Sequence, residues 1–198
     1  MTGAQAVRPE RRNKMKKNNI VRSAVAVGIG SALFFVLGRF VSIPSPVPNT
    51  NISIQYGLLA FMAALYGPVV GLLCGFIGHT LIDFSYGWGI WWSWIIASAG
   101  FGFLTGLVSN RLHMSEGDFP VGEIIMFIVF QALAHAAAWF LIAPVFDILI
   151  YAEPANKVFV QGLFAGISNI ITTAIVGTIL CVAYASSRPK KGSLTMDN

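Results

Sequence analysis

Charge is scarce in this chain: 11% of its 198 residues are charged, 56% are hydrophobic, and the mean hydropathy is +0.71. So little polar surface excludes an ordinary water-soluble domain, and lipid is the solvent. Cysteine is scarcer still. Cys74 and Cys181 are the only two, each inside an apolar stretch and without redox or metal-ligand spacing. No disulfide framework is implied, and packing is their reading. The patterns GxxxxGK[ST], HExxH and GxSxG are missing, so the chain carries no visible means of hydrolysing ATP, and neither a catalytic nor a metal site is assigned. No internal repeat is evident, and the length suits one compact bundle.

What charge there is has a pattern. Arg8, Arg11, Arg12, Lys14, Lys16, Lys17 and Arg22 account for seven of thirteen basic residues and gather around the start of the first apolar run. Such a run is a topology signal held on the cytoplasmic side, in contact with anionic headgroups, rather than a nucleic-acid surface. The segment is like a secretory signal, but its apolar stretch is long and no small-residue cleavage site follows, so an uncleaved span is expected. The division expected is a basic cytoplasmic tail at 1–19, a membrane domain at 20–187 and a second cytoplasmic tail at 188–198.

Hydropathy marks six spans, giving an all-α integral membrane protein with six transmembrane helices in one bundle. The first covers about 20–40 and ends where Pro44, Pro46 and Pro48 forbid a continuing helix, which predicts a stiff, extended loop. Stretches 52–66 and 69–84 are separated by Gly67-Pro68; each is roughly 24 Å long as a helix, short for a bilayer. Such spans either border a water-filled or thinned region or, the favoured reading, borrow flanking polar residues to complete the crossing. The remaining spans cover about 89–107, 122–150, with Pro144 near its end, and 158–184. With the N-terminus inside, eleven basic residues fall on the cytoplasmic side against Arg39 and Lys157 outside. Six spans satisfy the positive-inside rule with both termini cytoplasmic, and five would place the basic C-terminus outside.

Polar residues within spans are the informative ones, because lipid offers them no partners. His79 and Asp83 share a helical face, and read either as a pair satisfying itself between helices or as a polar floor for a ligand. Gln131, His135 and Trp139 repeat at spacing four, as do Gln161, Ala165 and Asn169, with Thr172 or Thr173 continuing that stripe. Trp88, Trp91, Trp92 and Trp94 form an interfacial belt or offer stacking surfaces. Together with Asn49 and Asn51 of the proline loop and Gln55 after it, these groups could enclose a site for a small planar heterocycle, with apolar walls and a few placed polar groups. Ala24, Gly28 and Ala32, with Ala26 and Gly30 offset by two, let a helix approach closely, whether from within the bundle or from a partner protein.

Several of these stretches carry a resemblance to a known family: Ala26-Val-Gly-Ile-Gly30, the loop from Ile43 to Ile52, Gly75-Phe-Ile-Gly-His79, Trp91-Trp-Ser-Trp94 and the segment Tyr151-Ala-Glu-Pro-Ala-Asn-Lys-Val-Phe159. Across about 20–187 the chain resembles the substrate-capture S components of energy-coupling factor (ECF) transporters. More narrowly it is similar to a subfamily proposed to carry hydroxymethylpyrimidine or pyridoxine. The resemblance implies a six-helix bundle in the cell membrane whose vitamin site faces outward under the loop after the first helix. It implies a transmembrane coupling T subunit and two ABC ATPases as partners, with Ala24, Gly28 and Ala32 as the docking face. No cofactor is expected on this chain itself; ATP is used by the partner ATPases. The expectation is a binding subunit and not an enzyme. Two other readings are a self-sufficient secondary carrier or channel, and an intramembrane enzyme using His79 and Asp83, for which only two ligand candidates lie close together.

Overall fold

The structure is a computed structural model that describes residues 9–87 and 89–189, with side chains from residue 19 onward. Helix α1, Pro9–Phe40, starts well before the apolar run. Residues 9–19, read from the sequence as tail, therefore continue the helix. Arg, Lys and Met are good helix formers, and a helix nucleated in the apolar run propagates through them at little cost.

The proline loop is not simply extended. Ile43–Pro44 (β1) pairs antiparallel with Asn51–Ile52 (β2), Ile43 opposite Ile52 and Pro44 opposite Asn51. Two residues per strand suffice, since an edge strand tolerates a proline that donates nothing. Ser45 pins the turn by donating to the carbonyl of Thr50 at 2.6 Å, and its Oγ accepts from Val47 N at 3.1 Å. Asn49 supplies the left-handed residue with φ 58°, a conformation asparagine adopts more readily than most.

Beyond the hairpin come α2 (Gln55–Tyr66) and α3 (Pro68–Tyr86), separated by Gly67 alone. Its φ of 93° is open to glycine and strained for other residues. Then follow α4 (Trp92–Gly106), α5 (Val121–Ala137), α6 (Ala143–Tyr151) and α7 (Ala155–Ser186). A π-helical turn, Ala138–Ile142, joins α5 to α6 as one helical run from Val121 to Tyr151. The wide turn lies just ahead of Pro144, which has no N–H to give the helical ladder.

Among the described residues, five helices are long and apolar enough to cross a membrane: Asn19–Phe40, Pro68–Tyr86, Trp92–Arg111, Val121–Tyr151 and Ala155–Ser186. Helix α2 is shorter, 12 residues or about 18 Å. Part of the apolar stretch from which a second span was expected is spent on β2 and the turn into α2. The short helix sits in the middle of the protein, buried from Gln55 to Ala60 and packed by α1, α3, α4 and α7. Its surroundings are protein rather than lipid, so bilayer thickness does not set its length.

Glycine allows a close contact between α3 and α4. A Cβ on Gly71 of α3 would overlap the carbonyl of Gly102 on α4, and one on Gly102 would overlap the carbonyl of Gly71. Gly75 faces the Ser98 backbone and Gly106 faces Pro68 in the same way. The two backbones touch along this seam. On α1 the small residues divide by face. Ala26 and Gly30 are buried, with Gly30 against Cys74 and Met62, whereas Ala24, Gly28 and Ala32 are exposed and a Cβ on Gly28 would meet nothing within 4 Å. Cys74 and Cys181 are buried and free, as packing residues would be.

Candidate ligand-binding site

At the hairpin end of the bundle lie two adjoining lobes of cavity, about 240 and 280 Å³, sharing Asn49, His79, Asp83 and Trp94 in their walls. The outer lobe adds Trp91, Asp147, Glu153, Lys157 and Gln161. The inner lobe adds Asn51, Gln55, Tyr56, Tyr86, Trp139 and Asn169, among others. Helices α2, α3, α4 and α7, the π-helical turn and the hairpin all contribute.

Aromatic rings make the back wall. The Tyr56 ring meets Phe34, Phe101, His135 and Trp139 edge-on, with centroids 5.3 to 5.7 Å apart, the geometry favoured by ring quadrupoles. Trp94 lies 5.3 Å from Trp139. Trp139 itself sits in the π-helical turn, and its fully buried neighbour His135 stacks on Phe101 at 3.8 Å. Trp139 Nε1 donates to His135 Nδ1 at 2.9 Å. That nitrogen must therefore be the acceptor, so Nε2 carries the proton and donates to Thr173 Oγ1 at 2.9 Å. His135 is a brace behind the wall; it lines neither lobe.

Two carboxylates organise the rest. Asp147, 1% exposed, accepts from Trp91 Nε1 at 2.6 Å, Trp94 Nε1 at 2.8 Å and Ser93 Oγ. A buried carboxylate demands such donors, and these three fix Trp91, just before α4, and Trp94 within it against α6. Trp91 also stacks on Tyr151 at 4.2 Å. Asp83 accepts from the backbone N–H of Trp91 at 2.9 Å through Oδ2. Its Oδ1 is 3.6 Å from His79 Nε2, too far for a hydrogen bond. His79 Nδ1 bonds Ser98 Oγ at 2.6 Å, and Ser98 bonds Tyr56 OH at 2.8 Å. The hairpin caps the cavity, held down by Gln161 Nε2 donating to Pro48 O at 2.8 Å.

Most of the residues singled out in the sequence thus converge, while Trp92, Gln131, His135, Thr172 and Thr173 line neither lobe. Asn49, Asn51, Gln55, His79, Asp83, Trp91, Trp94, Trp139, Gln161 and Asn169 line one lobe or both; His135 stands behind; Trp88 lies outside the described residues. Trp92 is 43% exposed and stacks on Phe76, as a belt residue would. Sequence reasoning missed Tyr56, Tyr86, Asp147, Glu153 and Lys157. Asp147, an ionisable group inside a long apolar run, was itself a signal.

A family model described as "ECF-type riboflavin transporter, S component" matches residues 18–186. A UPF0397 protein of Enterococcus faecalis is 50% identical over 183 residues, covering 92% of this chain and 100% of that protein. One of Lactobacillus gasseri is 51% identical over 182 residues, covering 92% and 98%. Among solved structures, the S component for biotin from an ECF-type ABC transporter superposes with a TM-score of 0.57 at 17% identity, covering 83% of this chain and 91% of that one. At that identity the likeness speaks for the fold alone.

Proposed function

Since the chain belongs to the family of ECF-type riboflavin transporter S components, multi-pass transport proteins that bind substrate and are not enzymes, we propose that it captures a vitamin or vitamin precursor of the hydroxymethylpyrimidine or pyridoxine type. In this reading the ligand enters the two-lobed cavity from the extracellular side, beneath the hairpin. The observation that carries it is the combination of tryptophan walls with buried polar side chains in one capped cavity, the equipment that holds a small planar ring.

Transport then depends on partners. S components associate with a T subunit and ATPases, and here the exposed stripe of Ala24, Gly28 and Ala32 is the face on which a coupling T subunit docks. Two ABC ATPases supply the ATP hydrolysis, and the loaded bundle reorients in the cell membrane to deliver its ligand inward. The two orientations must differ in affinity for this to work. The basic N-terminal segment and Arg188 belong to the cytoplasmic side, with α2 completing six crossings alongside the five longer helices.

The test is to purify the full chain from membranes, release what it carries and identify it by mass spectrometry. Uptake of that compound is then measured in proteoliposomes with and without the T subunit and ATPases. A heterocyclic vitamin taken up only with the full module and ATP is expected. Uptake by the chain alone would favour a secondary carrier.

A further inference from the structure

Most polar groups that line the inner lobe are already committed to protein partners. Gln55 Oε1 accepts from Ser53, Tyr56 and His79 bond Ser98, Trp139 Nε1 is given to His135, and Trp94 Nε1 is given to Asp147. Two buried side chains stand apart. Asn169 is 4% exposed and its carboxamide has no hydrogen-bond partner among the described residues. Asp83 is 6% exposed and satisfied through Oδ2 alone, leaving Oδ1 without a donor within hydrogen-bond distance. Buried groups of this kind are normally paired, and both border the same lobe.

The charge of the walls points the same way. Asp83, Asp147 and Glu153 line the lobes against one cation, Lys157, whose Nζ is already 2.7 Å from Glu153. Among the described residues no other lysine or arginine lines either lobe. An anionic ligand would be buried against carboxylates without a counter-charge. A ligand with an N–H donor would instead complete Asp83, while an adjacent donor and acceptor on its ring edge would match both ends of the Asn169 carboxamide.

Resting on the proposed role in solute capture, we infer that the site selects a neutral or cationic heterocycle that bears an amino or ring N–H donor, and rejects carboxylate-bearing ligands, with Asp83 and Asn169 as the residues that read it. Asp83 takes the donor and Asn169 the donor–acceptor edge, with the ligand against the wall that Trp94 and Trp139 make.

The experiment measures binding to the full-length chain in nanodiscs by tryptophan fluorescence and calorimetry. The probes are 4-amino-5-hydroxymethyl-2-methylpyrimidine, its counterpart with hydrogen in place of the 4-amino group, pyridoxine, riboflavin and biotin. The amino compound is expected to bind at least about tenfold more tightly than the compound without the amino group, the difference that one hydrogen bond to a charged group makes, and biotin not to bind. Asp83→Asn keeps an acceptor for the Trp91 N–H and should erase that preference; Asn169→Leu should weaken the amino compound about tenfold or more. An unchanged preference in Asp83→Asn, or biotin or the compound without the amino group binding as well as the amino compound, overturns the selectivity and leaves solute capture standing. Failure of all five probes on folded wild-type protein overturns the selectivity and the proposed capture of a heterocyclic vitamin together. Thermal unfolding of each variant separates lost binding from lost fold.

Discussion

Gln161 of α7 and Pro48 at the tip of the hairpin are joined by one hydrogen bond, Nε2 to the proline carbonyl at 2.8 Å, across 113 residues of chain. The hairpin's other turn bonds, from Ser45 and Thr50, are internal to it. Gln161→Leu should therefore leave the hairpin formed but loosely seated. The expected result is faster amide exchange over residues 43–52, with little change in global stability, because one such bond is worth about 1 kcal/mol. Ligand dissociation should speed up about fivefold, measured by stopped-flow tryptophan fluorescence. Unaltered exchange in the hairpin would mean that this contact does not hold the cap.

Asp147 makes a larger prediction. It is the shared acceptor for Trp91, Trp94 and Ser93, so Asp147→Ala strands two indole N–H groups and a hydroxyl in a place where water is scarce. Breaking a buried network of this kind costs about 3 kcal/mol or more. The thermal midpoint should fall, and tryptophan emission should shift to the red as the α4 rings loosen. Asp147→Asn, which keeps one acceptor oxygen, should fall between the two.

Much of the site was legible in the sequence because helix geometry is simple. Gln161 and Asn169, or His135 and Trp139, are spaced so that they must share a face, and lipid leaves a polar stripe nowhere to go but inward. The tertiary partners were not legible. Nothing local links Asp147 to indoles more than fifty residues earlier, and the hairpin required the Ser45 and Thr50 turn bonds to outweigh the proline-based expectation of an extended loop. The glycines of α3 and α4 show the opposite case: Gly71 and Gly75, or Gly102 and Gly106, are spaced for close packing, yet spacing alone does not say which helix will come near. On α1 the same pattern faces outward.

Outside the spans, His113 provides a pH test. Glu123, in the first turn of α5, accepts from the His113 backbone N–H at 2.8 Å and contacts Nδ1 at 2.5 Å. That hydrogen bond and the carboxylate's charge raise the histidine above its ordinary 6.5. A raised folded pKa means the contact's stabilisation is full below the unfolded value and is lost as pH rises through the folded one. Local protection of residues 113–123 should therefore be greater at pH 5.5 than at pH 8.5. Glu123→Gln should remove the difference and lower the His113 titration midpoint, read by NMR of the imidazole. A midpoint unmoved by the substitution would contradict the pairing.

Glycine substitutions on two helices should separate packing within the bundle from docking outside it. At Gly102 an added methyl must displace the carbonyl of Gly71, backbone against backbone, with no side chain to swing aside. Gly102→Ala should then force α3 and α4 apart and cost about 2 kcal/mol, in the range for overpacking a filled interface, and Gly71→Ala should do the same. Gly28→Ala meets open space and removes a flexible residue from a helix, so the isolated chain should be unchanged or slightly more stable. If the α1 stripe is where the T subunit sits, that silent change should become costly only in the complex, because a close helix contact tolerates no extra methyl. The measurement is thermal unfolding of each isolated variant beside co-purification with the T subunit and ATPases. Gly28→Ala retaining full complex formation would remove α1 from the docking face, whatever the seam variants do.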